Sequence, residues 1–423
     1  MNMPCIEFQP RPHTAAEPSE PPALMGLARL MAMAFQGTDL MPLAQTLIAR
    51  ATDDEHDANA LMDLSTLLLL QGLRDIGLAT QAQALACQRV FDLPAAHTPA
   101  LRLLAVMTPG DLMTNAPLAF LAERSDVALT MLYVQPGEPL PHWLPPHDAL
   151  WIAVSESDPV RGLLEDLSLA CVDWGTPAIN HPARTLRTGR TQACAELHGV
   201  PGLHIPQTIR ADRALLQRLV RCESDPAELL SDGAWPLIIR PVDSHAGRGL
   251  EKLTSPFDLT RYLATMPDAE FFLSRFVDYA SADGQFRKFR VVLVDGVAYA
   301  VHLGVSSHWM VHYLNAGMTE SAAKRAEEER FMAEFDTDTG FARRHAAALR
   351  GIGERIGLDY LVIDCAEMPD GDLLVFEIDP GAAVHSMDPP DLFPYKRPAM
   401  EKVRTAFRAL LERSVAVRPH LLA

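Results

Sequence analysis

Two short apolar runs, Tyr360–Cys365 and Leu373–Ile378, are joined by Pro369-Asp370-Gly371-Asp372. Runs of strand length around a Pro-Asp-Gly turn predict a hairpin whose strands lie within a sheet. Each strand ends in acid: Asp364 on the first, Glu377 and Asp379 on the second. Side chains at i and i+2 of a strand share a face, so Glu377 and Asp379 project together, and the hairpin can return Asp364 to the same spot. Three carboxylates beside apolar strands repel unless a hard divalent cation sits among them, and Mg²⁺ takes such oxygens together with substrate phosphates. The plainer reading is that acids end strands at a solvated edge. Taken alone, the Glu-x-Asp spacing favours that plainer reading.

The rest of the chain supplies context. Its 423 residues exceed one ordinary core and imply two or three domains. A formal charge of −17, from 54 acids against 37 bases, excludes a broad surface for nucleic acid, so any nucleotide must sit in a local pocket. Six scattered cysteines with no C-x-x-C fit a reducing, cytoplasmic setting. No apolar stretch reaches the ~18 residues of a membrane span, and Met1–Pro22 lacks the pattern of a signal peptide.

The patterning divides the chain into four blocks. Residues 1–22, rich in Pro, Glu and Ser, read as a mobile tail. Residues 23–94 are helical and self-similar. Ala23-Leu24-Met25 recurs as Ala60-Leu61-Met62 at an offset of 37, and each copy passes a Gln-Gly break into a second amphipathic run, Leu40–Arg50 or Ile76–Val90. Such helix–turn–helix units resemble a short tetratricopeptide-type array, with an unrelated four-helix bundle as the alternative. This block would pack on the next domain or present a surface to a second copy or a partner protein. Residues 95–198 alternate short apolar runs with helix or loop, the mark of a small parallel α/β layer. Residues 199–423 read as α+β with a mostly antiparallel sheet.

Upstream of the hairpin, Leu237-Ile238-Ile239-Arg240-Pro241 is a buried-type strand ending in a cation. Val242-Asp243-Ser244-His245-Ala246-Gly247-Arg248-Gly249 comes directly after it. A small-residue loop between strands brings backbone N–H groups over phosphates, or is an ordinary hairpin. Neither G-x-x-x-x-G-K-[ST] nor G-x-G-x-x-G is present. Next come Phe271–Val277, then Arg287–Gly296 with Arg290, then Asn315, and finally the acidic hairpin.

This ordered series resembles the ATP-grasp superfamily, the fold of D-alanine–D-alanine ligase and of the glutamate-adding enzymes that modify ribosomal protein. The resemblance covers roughly residues 100–413, with Arg102–Pro182 similar to the family's pre-ATP-grasp domain. It implies an α+β fold with an α/β part: a pre-ATP-grasp layer and two α+β subdomains clasping ATP. It also implies roles. Arg240 would touch the α- and β-phosphates, and Ser244, His245, Gly247 and Gly249 would lie over the triphosphate. The linker Ser274-Arg275-Phe276-Val277 would hold adenine, and Arg290 would reach the γ-phosphate or acyl phosphate. Asp364, Glu377 and Asp379 would hold two Mg²⁺ ions, with Glu377 bridging. Arg190 stands where the family often has a first phosphate-binding Lys.

There are departures from the family pattern. Arg replaces the usual Lys at 240 and 190, a planar fork in place of a point charge. The chain has only five lysines, so compositional bias accounts for the exchange with the charge kept. Ser274 stands where an acid commonly accepts from the adenine amine, and Asp379 replaces a common Asn.

Ser307 and His308 fall where the family places an acceptor-binding loop, and Asn315 and His385 are further candidates for substrate contact. His308-x-x-x-His312 would make a metal pair only if helical, and no Cys or acid completes it. The expectation is an ATP- and Mg²⁺-dependent carboxylate–amine ligase acting on an amino acid, peptide or carboxylic acid through an acyl phosphate. The alternatives are a small-molecule kinase on the same nucleotide site, or an ATP-binding scaffold that uses the helical block to hold a partner.

Overall fold

The computed structural model describes residues 22–244, 247–313 and 316–417. The chain opens with helices α1 (Gly26–Phe35), α2 (Met41–Asp53), α3 (Ala58–Leu70) and α4 (Arg74–Cys87). The two Gln-Gly breaks stop α1 and α3 in the same way. Gly37 and Gly72 take φ of +70° and +76°, which only glycine adopts without strain. The next amides, Thr38 and Leu73, then reach back to Met33 O at 3.0 Å and Leu68 O at 2.9 Å. Equivalent helices begin at 26 and 58, and at 41 and 74, so the structural spacing is 32 and 33 residues, not 37. The repeated Ala-Leu-Met lies ahead of α1 in its first copy and inside α3 in its second.

The helical block packs on the body of the protein. Ala28 of α1 belongs to the same core as Trp151, Val384 and Phe407, and Leu27 and Met31 pack against it.

The first sheet contains β1 (Val90–Leu93), β2 (Leu101–Met107), β3 (Val127–Tyr133), β4 (Ala149–Ile152) and β5 (Ala178–Ile179) in the order β1-β3-β2-β4-β5. Helix α5 (Ala119–Ala122) lies between β2 and β3, and α6 (Arg161–Asp173) between β4 and β5. All pairings are parallel except β1 with β3. Val90, expected at the end of a helix, instead starts this antiparallel edge strand. Its neighbour Phe91 is fully buried between helical block and sheet, and that burial decides the conformation.

Helices α7 (Pro182–Thr185) and α8 (Arg190–Leu197) and the short strand β6 (Leu203–His204) lead into the second sheet. It comprises β7 (Thr208–Asp212), β8 (Leu237–Pro241), β9 (Glu251–Leu253) and β10 (Glu270–Arg275), antiparallel in the order β7-β10-β8-β9. Helices α9 (Arg213–Val220), α10 (Pro226–Leu229) and α11 (Pro256–Thr265) accompany it. The start of α11 is legible in Ser255-Pro256: the serine hydroxyl accepts from Asp258 N, and proline occupies the first turn. Helix α9 begins only at 213, because 208–212 are drawn into the sheet by β10.

The third sheet carries the acidic hairpin. It has β11 (Phe286–Val294), β12 (Val297–Ser306), β13 (Tyr360–Glu367) and β14 (Leu373–Asp379), ordered β12-β11-β13-β14-β6, with only β6 parallel to its neighbour. Asp295-Gly296 turns β11 into β12 with positive φ at both residues, and Gly371 makes the corresponding turn after β13. Helices α12 (Ala322–Glu334), α13 (Phe341–Arg344) and α14 (Ala346–Ile356) cover one face, where Ile352 and Ile356 join Val291, Leu293, Leu361 and Ile363.

Helix α15 (Lys396–Val417) closes the molecule by packing between the first and third sheets. Trp151 of β4 sits 5.5 Å from Tyr360 of β13 and 5.6 Å from Phe407 of α15, ring centre to ring centre, so one aromatic cluster ties the two sheets. An α/β layer followed by two antiparallel sheets with helices is the architecture expected from the sequence. No helix among the described residues is long and apolar enough to cross a membrane.

Candidate active site

One rung of the third sheet carries most of the charge. His302 on β12 faces Arg290 on β11, Arg290 faces Asp364 on β13, and Asp364 faces Glu377 on β14. Directly opposed residues of antiparallel strands project on the same side, so four polar side chains line up across four strands. Arg290 grips Asp364 with two parallel bonds, Nε to Oδ1 at 2.7 Å and Nη2 to Oδ2 at 2.9 Å. Its remaining nitrogen donates to Ala383 O at 3.0 Å, which anchors the loop after β14. Lys288, two residues before Arg290 on the same strand face, puts Nζ 2.7 Å from Asp364 Oδ2. Burial works against the Asp364 charge, but Arg290 and Lys288 outweigh it and hold the carboxyl well below the usual carboxylate range.

A second cationic group comes from upstream. Arg190, in the first turn of α8, sets Nη2 2.9 Å from Glu377 Oε1. Arg240, at the end of β8, donates from Nε to Ser244 Oγ at 3.0 Å and from Nη2 to the Ser244 carbonyl, while Ser244 Oγ donates to Pro241 O at 2.8 Å. Burial, then the charge of Arg190, pulls Arg240 down to about 10. Two guanidiniums are therefore held together facing one carboxylate. Burial raises Glu377, and Arg190 and Arg240 overcome that to bring it down to about 2.

In the loop that leaves Arg240, Gly247 and Gly249 have φ of +78° and +64°, and a Cβ at Gly249 would stand 2.7 Å from Pro241 Cδ. His245, expected in this loop, lies outside the described residues, as does Asn315.

The expected linker begins inside β10: Ser274 pairs with Thr208 and Ile238 on either side, and Arg275, the last residue of the strand, is exposed. Phe276 is 8% exposed, with Lys252 Nζ 3.6 Å above its ring and Trp309 edge-on at 5.8 Å. Its amide donates to Pro236 O at 3.0 Å, and Val277 beside it is half-buried. Ser307 and His308 are exposed on the turn after β12. That turn is not helical, since the His308 ring accepts from Met310 N at 3.1 Å, so the i,i+4 metal pair does not form. His385 lies in the loop after β14 with Phe35 of α1 and Phe120 of α5 each 5.9 Å from its ring. Burial pushes its imidazole down to about 4.

The expected trio of metal-binding acids is partly engaged within the protein: both Asp364 oxygens are taken by Arg290 and Lys288. Among the described residues no three His, Cys, Asp or Glu side chains come together as a metal-holding group. Glu377 and Asp379 remain as hard oxygen donors on one strand face. Asp379 Oδ1 accepts from Gly381 N at 2.7 Å, while burial and then the Glu377 charge push its carboxyl up to about 7. A mutually repelling pair of carboxylates is a donor set that suits Mg²⁺.

Sequence reasoning missed Lys288, although the two-residue period that joins Glu377 to Asp379 also joins Lys288 to Arg290. It also missed Lys396. That ammonium lies 2.9 Å from Asp388 Oδ2 and 3.4 Å from Glu328 Oε1, and it contacts the Tyr313 hydroxyl. Asp388 is thus engaged inside the protein.

No family model and no curated protein matches the chain. Solved structures do. The chain is similar to the D-alanine–D-alanine ligase of Bacillus anthracis complexed with ATP, at 14% identity and TM-score 0.40, covering 76% of this chain and 99% of that one. It is similar to the VanG D-Ala:D-Ser ligase of Enterococcus faecalis, at 11% identity and TM-score 0.44, covering 74% and 99%. It is also similar to a RimK domain ATP-grasp protein of Sphaerobacter thermophilus, at 13% identity and TM-score 0.41, covering 72% and 98%.

Proposed function

We propose that the chain is an ATP-grasp carboxylate–amine ligase. The observation that carries this reading is the meeting of four cations, Arg190 of α8, Arg240 of β8 and Lys288 and Arg290 of β11, around Glu377 and Asp379 of β14. Cations in excess of available carboxylates suit a polyanion, and the glycine loop after Arg240 suits its phosphates.

In this reading Arg240 and the loop Ser244–Gly249 grip the triphosphate of ATP, and Phe276 with Val277 forms the wall against adenine. Glu377 and Asp379 would hold Mg²⁺, which when bound neutralises phosphate charge. Arg290 orients the γ-phosphoryl group. A substrate carboxylate oxygen attacks the γ-phosphorus, the bond to the β-phosphate oxygen breaks, and ADP leaves. An amine then attacks the acyl carbon of the acyl phosphate. The carbon–oxygen bond breaks, phosphate leaves with the electron pair, and the nitrogen gives up a proton to leave an amide. The protein supplies positioning and charge rather than covalent chemistry, and the loop over the phosphates keeps water from the acyl phosphate. Donor and acceptor are amino acids, peptides or carboxylic acids.

The test is phosphate release from ATP and Mg²⁺ across pools of amines and carboxylic acids, with mass spectrometry of positive wells for an amide. Glu377→Ala should abolish turnover while its melting curve stays cooperative. Ligation surviving in Glu377→Ala, or a stable phosphorylated product in place of an amide, would overturn the proposal.

A further inference from the structure

We infer that Asp364 is a positioning residue that holds Lys288 and Arg290 as a two-cation cradle for an oxyanion, and that it is not a metal ligand. The inference rests on the ligase reading only for the location of the site.

Three observations carry it. Both Asp364 oxygens are occupied at 2.7–2.9 Å, by two Arg290 nitrogens and by Lys288 Nζ. The carboxylate is 5% exposed, so a cation approaching it would have to displace both partners in a place where an unpaired charge is costly. Finally, the guanidinium of this pair is fixed in direction. Arg290 is held at three nitrogens, by Asp364 and by Ala383 O, so its rotamer entropy is already spent. Lys288 stands two residues away on the same strand face, and its ammonium carries three donors of which one is used by Asp364. A preorganised guanidinium beside an ammonium, backed by one buried carboxylate, presents net positive charge to the sheet face on which Glu377 and Asp379 also project. The ligand chemistry is an anionic oxygen, from a phosphoryl group or from a substrate carboxylate.

The test uses the full chain and four proteins: wild type, Asp364→Asn, Lys288→Met and Glu377→Gln. Tripolyphosphate and succinate, each titrated calorimetrically with EDTA present, report the oxyanion site, and whichever probe responds identifies the source. Electron paramagnetic resonance of Mn²⁺, at saturating adenylyl imidodiphosphate, reports metal affinity. Asp364→Asn should weaken one of the two anions at least tenfold and leave Mn²⁺ affinity within threefold. Lys288→Met, which leaves the Arg290–Asp364 pair in place, should weaken the same anion, and it carries the test should Asp364→Asn fail to fold. Mn²⁺ affinity falling tenfold in Asp364→Asn with anion affinity unchanged would overturn the inference, as would unchanged anion affinity in Lys288→Met. Glu377→Gln separates the two readings. If it leaves Mn²⁺ binding intact, the metal assignment under the proposed function falls and the cradle stands.

Discussion

Gly381 lies so close to Ser155 that a Cβ on residue 381 would be 2.0 Å from the Ser155 hydroxyl and 3.2 Å from Asp379 Oδ1. This contact joins the loop after β14 to the end of the parallel sheet, and the Gly381 amide holds Asp379 in the same step. Gly381→Ala must therefore move the loop or the serine. The expected loss is about 1–3 kcal/mol, the usual range for overpacking. Urea denaturation measures it. Turnover in the proposed ligase reaction should fall by more than stability does, because Asp379 loses its amide donor. A variant with native stability and native turnover would show that the loop accommodates the methyl group freely.

Asp63 in α3 does the work of a cap for a different helix. Its carboxylate accepts from Met25 N at 2.8 Å and Gly26 N at 2.9 Å at the start of α1, and the side chain is fully buried. Asp63→Ala leaves amides without a partner in the interior, for an expected loss of about 1–3 kcal/mol. Hydrogen exchange should show the loss concentrated in α1, with the amides near His385 exchanging faster because Phe35 packs on that ring. Uniform acceleration across all helices would contradict the assignment.

Glu367 gives the chain an acid-sensitive contact. It accepts from Arg344 Nη2 at 2.6 Å and lies 2.8 Å from the buried His345 ring. Burial raises its carboxyl, yet the His345 and Arg344 hydrogen bonds overcome that, and the net direction is down. A carboxyl depressed in the folded state stabilises above its unfolded value and loses that contribution as pH falls through its folded value. Wild type should exceed Glu367→Gln in melting temperature at pH 7, with the gap narrowing as the pH is taken down through the carboxylate range. A gap that widens on acidification would reverse the sign and refute this account.

How far a residue's role is legible in sequence depends on how far its partners lie along the chain. The hairpin of β13 and β14 is readable because its turn and its period are local. The shared face of Glu377 and Asp379 comes from the same period. The fate of Asp364 is not readable: its partners Lys288 and Arg290 are on a strand more than seventy positions away, and only register brings them together. Likewise the end of β7 reads as part of a helix because the amphipathic pattern of Arg213–Val220 is strong, while the pairing that makes 208–212 a strand comes from β10. The helical repeat is visible in its Gln-Gly stops. Its period is misleading in the letters alone, because the matching residues ahead of α1 and inside α3 are not equivalent positions.

Lys396 offers the clearest stability test. Its ammonium is 5% exposed and sits between Glu328 and Asp388, with the Tyr313 ring 4.0 Å and the Phe393 ring 4.7 Å away. Glu328 is wholly buried and accepts from Leu303 N at 3.0 Å, Tyr313 Oη at 3.0 Å and Tyr395 Oη at 2.8 Å. Lys396→Met matches the length of the side chain but leaves two acids without their cation. Removing one partner of a buried charge cluster typically costs about 3–5 kcal/mol, whereas replacing the whole cluster by apolar groups is far milder. Guanidinium denaturation should therefore show Lys396→Met as severely destabilised, and adding Glu328→Gln and Asp388→Asn in the same chain should recover much of the loss. If the triple variant is no more stable than Lys396→Met, the penalty comes from packing around the lysine stem rather than from stranded carboxylates.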